Sequence, residues 1–127
     1  MKLLIVDDSV KFQQRLSAII SELTGIRDIE YAEDVLGAIE AVREKKPDAV
    51  VLDFQIPGGS GIDVLKAVQM ENPRPVIIVF TNYPYPEFRK YCLATGADYF
   101  FDKSFAYNEL MCVLNKLKNK FKTVSRR

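Results

Sequence analysis

Apolar residues are distributed along the chain in two alternating patterns, of which the first is a short, nearly continuous run. Runs of this kind at 2–6, 49–52 and 76–80 predict strands, because a parallel sheet covered by helices buries both faces of its strands. Two weaker runs, at 29–32 and 99–101, predict further strands. The first pattern therefore predicts a sheet of five strands.

The second pattern places an apolar residue at every third or fourth position, which is the spacing of one face of a helix. It follows each predicted strand, and Asp34 and Ser104 stand where a helix could be capped. Five strands that each precede a helix predict an α/β fold, a doubly wound parallel sheet with right-handed crossovers. The residues that mark the five helices are Phe12, Leu16, Ile19 and Leu23; Leu36, Ile39 and Val42; Ile62, Leu65 and Val68; Phe88, Tyr91 and Cys92; and Leu110, Val113, Leu114, Leu117 and Phe121.

Composition narrows the class of protein. The chain has 127 residues, of which 48% are hydrophobic and 28% charged, which fits one folded domain and argues against disorder. A formal net charge of +1 gives no overall field that would draw the protein to nucleic acid or to a membrane. The apolar runs are too short to cross a membrane, and the first meets acidic residues too early for a secretory signal. We expect a cytoplasmic protein with one domain over residues 1–122 and a short, basic, disordered tail over 123–127.

Chemically active side chains stand where the predicted strands end. Asp7 and Asp8 follow the first run, and Asp53 follows the third. Thr81 follows the fourth run, and Lys103 comes shortly after the fifth. In open α/β sheets the ligand site lies beyond the carboxyl ends of the strands. The sequence therefore predicts that three acids, one hydroxyl and one ammonium group converge at one edge of the sheet.

This combination of groups suits a hard cation and phosphoryl transfer. Three carboxylates held close together repel one another and favour a bound cation. Magnesium fits, because it prefers oxygen ligands and shares its coordination shell with phosphate. Zinc does not fit, because no histidine or cysteine stands at these strand ends. A carboxylate can attack phosphorus to form an acyl phosphate. Lys103 and the metal would then offset charge on the phosphoryl oxygens, and Thr81 would donate a hydrogen bond.

Each of these residues also has a purely structural interpretation. Asp7 and Asp8 could cap the helix that follows them. Thr81 could simply end a strand, and Lys103 could be a solvated surface charge. The coincidence of all five residues at strand ends favours a shared site over five separate explanations.

Beside this reasoning from the residues, the chain from Met1 to about Leu117 resembles the receiver domain of two-component response regulators. An aspartate followed four residues later by Pro57 and eight residues later by Gly61 is characteristic of that family. The resemblance implies a single flavodoxin-like (βα)5 domain with a five-stranded parallel sheet in the order 2-1-3-4-5. The matching segments are Val6-Asp7-Asp8-Ser9, Val51-Leu52-Asp53-Phe54-Gln55-Ile56-Pro57, Gly61, Thr81 and Gly96-Ala97-Asp98-Tyr99-Phe100-Phe101-Asp102-Lys103.

The resemblance also implies a metal site around the acceptor. Asp53 would be the phosphoacceptor, and the cofactor would be Mg²⁺. Asp8 would bind the metal directly, and Asp7 would act mainly through metal-bound water. The backbone carbonyl of Gln55 would complete the protein's share of the metal shell.

Three further positions acquire a role in the same way. Lys103 would bind a phosphoryl oxygen, and Thr81 would supply the hydroxyl that moves on phosphorylation. Phe100 occupies the aromatic switch position, where a change of rotamer follows that hydroxyl. Its structural alternative, a static core aromatic at the sheet edge, stays open.

As a whole, the resemblance implies a stand-alone receiver in a phosphorelay, with no enzymatic activity beyond its own phosphorylation and dephosphorylation. The donor would be a phosphohistidine on a sensor histidine kinase or a histidine phosphotransfer protein, since this chain has no histidine. A downstream protein would bind the face formed by the fourth helix, the fifth strand and the fifth helix. The sequence has no recognisable DNA-binding motif and no membrane segment, so neither DNA nor a membrane is an expected partner.

The sequence departs from the family's pattern at a few positions. Ser104 replaces a common proline, and a cis bond costs about 3–4 kcal/mol before serine against about 0.5–1 kcal/mol before proline, so the isomer at this bond is left open. Asn82 is bulkier than the usual residue beside the phosphate, and we predict that it slows loss of the phosphoryl group. Gln55 and Tyr83 are not acidic, which points in the same direction. We interpret Tyr83 and Tyr85 as an exposed contact surface.

Three functions other than that of a phosphorylated receiver share some of these sequence features. A phosphatase of the haloacid dehalogenase type also uses a strand-end aspartate with magnesium, but its acids are separated by one residue, whereas Asp7 and Asp8 are adjacent. A flavodoxin-like cofactor binder needs a glycine- or hydroxyl-rich loop after the first strand, which this chain lacks. A receiver-like module could also bind its partner independently of phosphorylation, although the complete set of acids argues against it.

Overall fold

The computed structural model describes residues 1–82 and 85–125, and the apolar runs and helical spacings form strands and helices in the predicted alternation. The strands are β1 (Lys2–Val6), β2 (Asp28–Ala32), β3 (Ala49–Leu52), β4 (Val76–Thr81) and β5 (Tyr99–Asp102). The helices are α1 (Val10–Thr24), α2 (Val35–Lys45), α3 (Gly61–Val68), α4 (Pro86–Thr95) and α5 (Tyr107–Ser125). All strand pairs are parallel, in the order β2-β1-β3-β4-β5. The predicted flavodoxin-like fold is confirmed.

Two apolar clusters, one on each face of the sheet, form the core. Helices α2, α3 and α4 cover one face, where Leu65 and Cys92 are buried against the sheet. Helices α1 and α5 cover the other face with Leu16 and Leu114. Every residue of β3 is buried, as expected of a central strand that is covered on both sides.

The helical spacing predicted where the helices lie better than it predicted which side chains they bury. Leu23, Leu36 and Tyr91 were counted among the marker residues, but their exposed fractions are 59%, 68% and 47%. In α2 the residues that reach the core are small or β-branched, such as Val35 and Ala38. The buried stripe is therefore rotated relative to the one that the largest apolar residues suggested.

One of the two predicted helix caps is correct. Asp34 caps α2, and its side chain accepts a hydrogen bond from the backbone N–H of Gly37 at 2.7 Å. The prediction for Ser104 is wrong, because α5 begins three residues later. Ser104 lies in the preceding turn, where its backbone N–H donates to Oδ1 of Asp102 at 2.8 Å. Within the described ranges the cis peptide bond is Asn72–Pro73, so the bond between Lys103 and Ser104 is trans.

The last helix extends further than the sequence indicated. Backbone of α5 is helical to Ser125, three residues into the segment 123–127 that was expected to be a disordered tail. Residues 126 and 127 lie outside the described residues. None of the helices in the described ranges has the length and apolar character needed to span a membrane.

Candidate functional site

The register of the sheet brings the residues that follow β1 and β3 to the same level. Val6, the last residue of β1, is paired with Ala32 in β2 and with Leu52 in β3. The backbone N–H of Asp7 donates to the carbonyl oxygen of Ala32 at 3.0 Å, and that of Asp53 donates to the carbonyl oxygen of Val6 at 3.0 Å. Both aspartates are thereby held by backbone hydrogen bonds at one edge of the sheet.

The three predicted acids meet at this edge. One carboxylate oxygen from each of Asp7, Asp8 and Asp53 lies within 4.8 Å of the other two. Asp7 and Asp53 are only 2% and 9% exposed, whereas Asp8 faces solvent. Burial raises the pKa of Asp53, the attraction of Lys103 opposes that rise, and the negative charge of Asp7 adds to it.

Lys103, which follows β5, contacts this acidic cluster. Its Nζ lies 2.5 Å from Oδ2 of Asp7 and 3.4 Å from Oδ2 of Asp53, and its side chain is 11% exposed. Burial disfavours the charged ammonium, but the hydrogen bond to Asp7 and the charge of Asp53 outweigh it and raise the pKa of Lys103. The lysine is therefore held as a cation against the acidic cluster.

Thr81 and Phe100 are both buried in neighbouring strands. Thr81 is the last residue of β4, is fully buried, and accepts a hydrogen bond at its backbone oxygen from the N–H of Lys103 at 2.8 Å. Phe100 is 8% exposed and lies in β5, next to β4. The structure thus brings Thr81, Lys103 and the three acids to one edge, and it places Phe100 in the core, paired with Val79 of β4.

The loop after β3 shapes the open side of the site. A pocket of ≈ 400 Å³ is lined by Asp8, which follows β1, and by residues of this loop that include Gln55 and Ser60. Gly61 closes the loop, and its N–H donates to the carbonyl oxygen of Phe54 at 2.6 Å. A Cβ atom on Gly61 would lie 2.7 Å from the carbonyl oxygen of Asp53, which explains why the position requires glycine.

Gln13 is a site residue that the sequence analysis missed. It is 4% exposed in the first turns of α1, and its Nε2 donates to the carbonyl oxygens of Asp7 at 2.7 Å and Ala32 at 2.9 Å. The amide therefore ties the end of β1 to the end of β2. A lone polar residue one position after an apolar one gives no signal of such a role in the sequence.

The structural interpretation of Asp7 as a helix cap is wrong. Ser9 caps α1, because its side chain accepts from the backbone N–H of Phe12 at 3.2 Å. Oδ1 of Asp7 instead accepts from the backbone N–H of Ser9 at 2.9 Å, while its Oδ2 faces Lys103. The carboxylate of Asp7 is thus oriented by its own loop and pointed into the cluster.

The donor set fits a hard divalent cation. It consists of carboxylate oxygens, one of them on the exposed Asp8, beside an open pocket that can admit solvent and a ligand. Magnesium takes oxygen ligands and keeps several waters, so a partly exposed cluster of this kind suits it. Zinc ligands of the usual kind are absent from the cluster within the described residues.

A doubly wound parallel sheet with clustered acids and a lysine at its carboxyl edge defines the class of receiver domains. The family model of the response regulator receiver domain matches residues 3–115 of this chain. The chain therefore belongs to that family, as the resemblance predicted. Neither a phosphatase nor a module that works without phosphorylation is favoured by this match.

Two solved structures show how close the fold is. A Francisella response regulator 1452 receiver domain is 28% identical with a TM-score of 0.84, over 94% of this chain and 98% of that chain. The response regulator domain of Thermotoga maritima CheB is 26% identical with a TM-score of 0.76, over 94% of each chain.

Curated relatives include much longer proteins. A protein-glutamate methylesterase/protein-glutamine glutaminase 2 of Nitratidesulfovibrio vulgaris is 32% identical over 126 residues, 97% of this chain and 34% of that protein. The protein of the same description from Xanthomonas campestris is 41% identical over 78 residues, 61% of this chain and 22% of that protein. The chain thus spans about a fifth to a third of the length of these relatives.

Proposed function

We propose that this receiver domain accepts a phosphoryl group on Asp53 and signals through a partner that distinguishes the phosphorylated form. The observation that carries the proposal is the convergence of Asp7, Asp8, Asp53 and Lys103 at one edge of the sheet. Asp53 lies within reach of both other acids and of the ammonium group, and it is the residue that the family resemblance gives as the acceptor. Its carboxylate is the nucleophile of the reaction.

Magnesium is the proposed cofactor. Asp8 and Asp53 would hold it directly, Asp7 would act through metal-bound water, and the backbone carbonyl of Gln55 would contribute the remaining protein ligand. A bound metal would supply positive charge against the negative charge that builds up between the carboxylate and the incoming phosphoryl group. The three carboxylate oxygens within 4.8 Å support this assignment.

The chain's own groups orient the reaction. The backbone N–H of Phe54 donates to Oδ1 of Asp53 at 2.7 Å and fixes the rotation of the carboxylate. An oxygen of Asp53 forms a bond to phosphorus as the bond between phosphorus and the donor's imidazole nitrogen breaks, and the nitrogen keeps that electron pair. Lys103 binds a phosphoryl oxygen, and the Thr81 hydroxyl donates to the product phosphate.

The proposed donor is a phosphohistidine on a sensor histidine kinase or a histidine phosphotransfer protein. The proposed output surface is the face of α4, β5 and α5. Helix α4 supports this choice, because Cys92 is its buried residue and Tyr91 and Leu93 are 47% and 38% exposed. We further propose that this chain has no enzymatic activity beyond its own phosphorylation and dephosphorylation.

Labelling tests the proposed acceptor. Intact-mass spectrometry after incubation with acetyl phosphate and Mg²⁺ should show one added phosphoryl group on the parent protein and none on Asp53→Asn. Asp34→Asn is the matched control, because asparagine caps a helix as well as aspartate does and the residue is exposed. Equal labelling of Asp53→Asn and Asp34→Asn would overturn the proposal, and so would labelling of the parent that persists in excess EDTA.

A further inference from the structure

The ammonium group of Lys103 has a neighbour outside the acidic cluster. Its Nζ lies 3.9 Å from the centroid of the Phe12 ring, a residue in the first turn of α1. A cation over the face of an aromatic ring is attracted by the ring's quadrupole, and the attraction is stronger where water is excluded. The Lys103 side chain is 11% exposed, so most of the competing solvent is excluded here.

The ring of Phe12 is itself held in place. The N–H of Phe12 is bonded to the Ser9 cap, which fixes the backbone from which the ring projects. Behind it lies Phe80, with ring centroids 6.4 Å apart, and Phe80 packs edge-on against Tyr107 of α5 at 5.3 Å. The ring therefore offers Lys103 a rigid surface that depends on three separate elements of the fold.

The other contacts of Lys103 are made to carboxylates that the proposed reaction also uses. The ammonium is bound to Asp7 and lies near Asp53, and both carboxylates have a second use in the proposed function, as metal ligand and as nucleophile. The ring of Phe12 takes no part in either use. Its attraction for the ammonium therefore persists when a metal or a phosphoryl group changes the charge of the carboxylates.

We propose that Phe12 is a positioning residue, whose aromatic face holds the Lys103 ammonium where it meets the phosphoryl group on Asp53. This inference rests on the proposed function and adds a residue to it. Lysine has a long and flexible side chain, and a fixed cationic centre speeds transfer by avoiding reorganisation at the moment of reaction. Without the ring, the ammonium would spend more of its time bound to Asp7 or in solvent.

Graded fluorination of Phe12 separates the electrostatic role from packing. Each fluorine weakens the ring's attraction for a cation and changes its volume little. We expect the rate of labelling by acetyl phosphate at saturating Mg²⁺ to fall stepwise with one, two and three fluorines, by about fivefold over the series. The same substitutions at Phe121, which lies in α5 about four turns from Tyr107, should leave the rate unchanged.

Two ordinary variants complete the test. Phe12→Tyr keeps an electron-rich ring and should retain the rate, whereas Phe12→Leu keeps apolar bulk and should lose about fivefold. In the metal-free protein, the ε-methylene protons of Lys103 should be shifted upfield by the ring current in the parent, and this shift should vanish in Phe12→Leu.

The outcomes are distinguishable. A flat rate across the fluorinated series, or a Phe12→Leu protein as fast as the parent, would overturn the inference while Asp53 remains the acceptor. Absence of labelling on Asp53 in the parent would overturn the proposed function itself, and the inference with it.

Discussion

The ring of Phe54 packs against the ring of Phe88 with centroids 3.8 Å apart and planes at 73°. Phe54 directly follows Asp53 and donates its backbone N–H to that carboxylate. Phe88, in α4, packs in turn against Phe100 of β5, with centroids 5.8 Å apart and planes at 78°. Three aromatic rings thus connect the acceptor loop to the proposed switch residue through the helix at the proposed output face.

This aromatic connection predicts the effect of Phe88→Leu. We expect a loss of about 1–2 kcal/mol of stability, because two ring contacts are removed and the apolar volume is largely kept. We also expect phosphorylation to shift the backbone NMR signals of β5 less in this variant than in the parent. Tyr91→Leu, at an exposed position of α4, is the control. Shifts as large as in the parent would show that phosphorylation affects β5 without the contacts of the Phe88 ring.

The amide of Gln13 predicts a second result. Gln13→Leu leaves the carbonyl oxygens of Asp7 and Ala32 buried without this donor, so we expect a loss of about 2–3 kcal/mol in urea unfolding. The Asp7 loop would also move, and Mg²⁺ affinity measured by calorimetry should fall. The neighbouring Gln14→Leu, at an exposed position, should change neither quantity. A Gln13→Leu protein with parental stability would contradict the role assigned to the amide.

The raised pKa of Asp53 makes stability depend on pH in a definite direction. An acid whose pKa is higher in the folded state than its ordinary value of 3.8 binds protons more tightly when folded. Its contribution to stability therefore falls as pH rises from the pKa of the unfolded chain to the pKa of the folded protein. Without metal, Asp53→Asn should therefore become more stable relative to the parent as pH rises from about 4 to neutrality. Added Mg²⁺ should reduce that advantage, because the parent binds it and the variant loses a ligand.

Urea unfolding at a series of pH values measures this difference. Asp28→Asn, at the exposed start of β2, serves as the comparison. A stability difference between Asp53→Asn and the parent that stays constant with pH would mean that burial does not penalise the charge of Asp53.

Asn82 predicts the lifetime of the phosphoryl group. It is exposed at the end of β4, and its Oδ1 accepts from the Ser104 hydroxyl at 3.4 Å, which links the two loops beside the acids. Asn82→Ala should open this edge to water and shorten the phosphoryl half-life by about two- to tenfold, the equivalent of one neutral hydrogen bond. The control is Asn108→Ala in α5. An unchanged half-life in Asn82→Ala would show that Asn82 does not protect the phosphoryl group from water. Of the two non-acidic residues that were also expected to prolong the lifetime, Gln55 is exposed and Tyr83 lies outside the described residues.

The central strands and the acidic edge could both be predicted because burial of a strand on both faces determines its apolar run and also where the first polar residue after it lies. A strand covered on both faces is continuously apolar, and the first polar residue after it falls at the carboxyl edge, which is how Asp7 and Asp53 were recognised. Thr81 was recognised in the same way, although β4 continues through it.

Contacts that depend on side-chain direction could not be predicted. The burial of Gln13 and the placement of Phe12 under Lys103 depend on how α1 docks on the sheet, and no spacing in the sequence encodes that. Leu36 was assigned to a buried stripe on hydrophobicity alone, yet the rotation of α2 leaves it in solvent. Ser104 has the chemistry of a cap, but the turn around Asp102 delays the start of α5.

The most direct test is to locate the phosphoryl group on the chain. An acyl phosphate on aspartate is reduced by borohydride to homoserine, so peptide mapping after treatment of the phosphorylated protein identifies the acceptor without any substitution. We expect homoserine at position 53 and aspartate at positions 7 and 8. Homoserine at either of those two positions, with Asp53 intact, would contradict it.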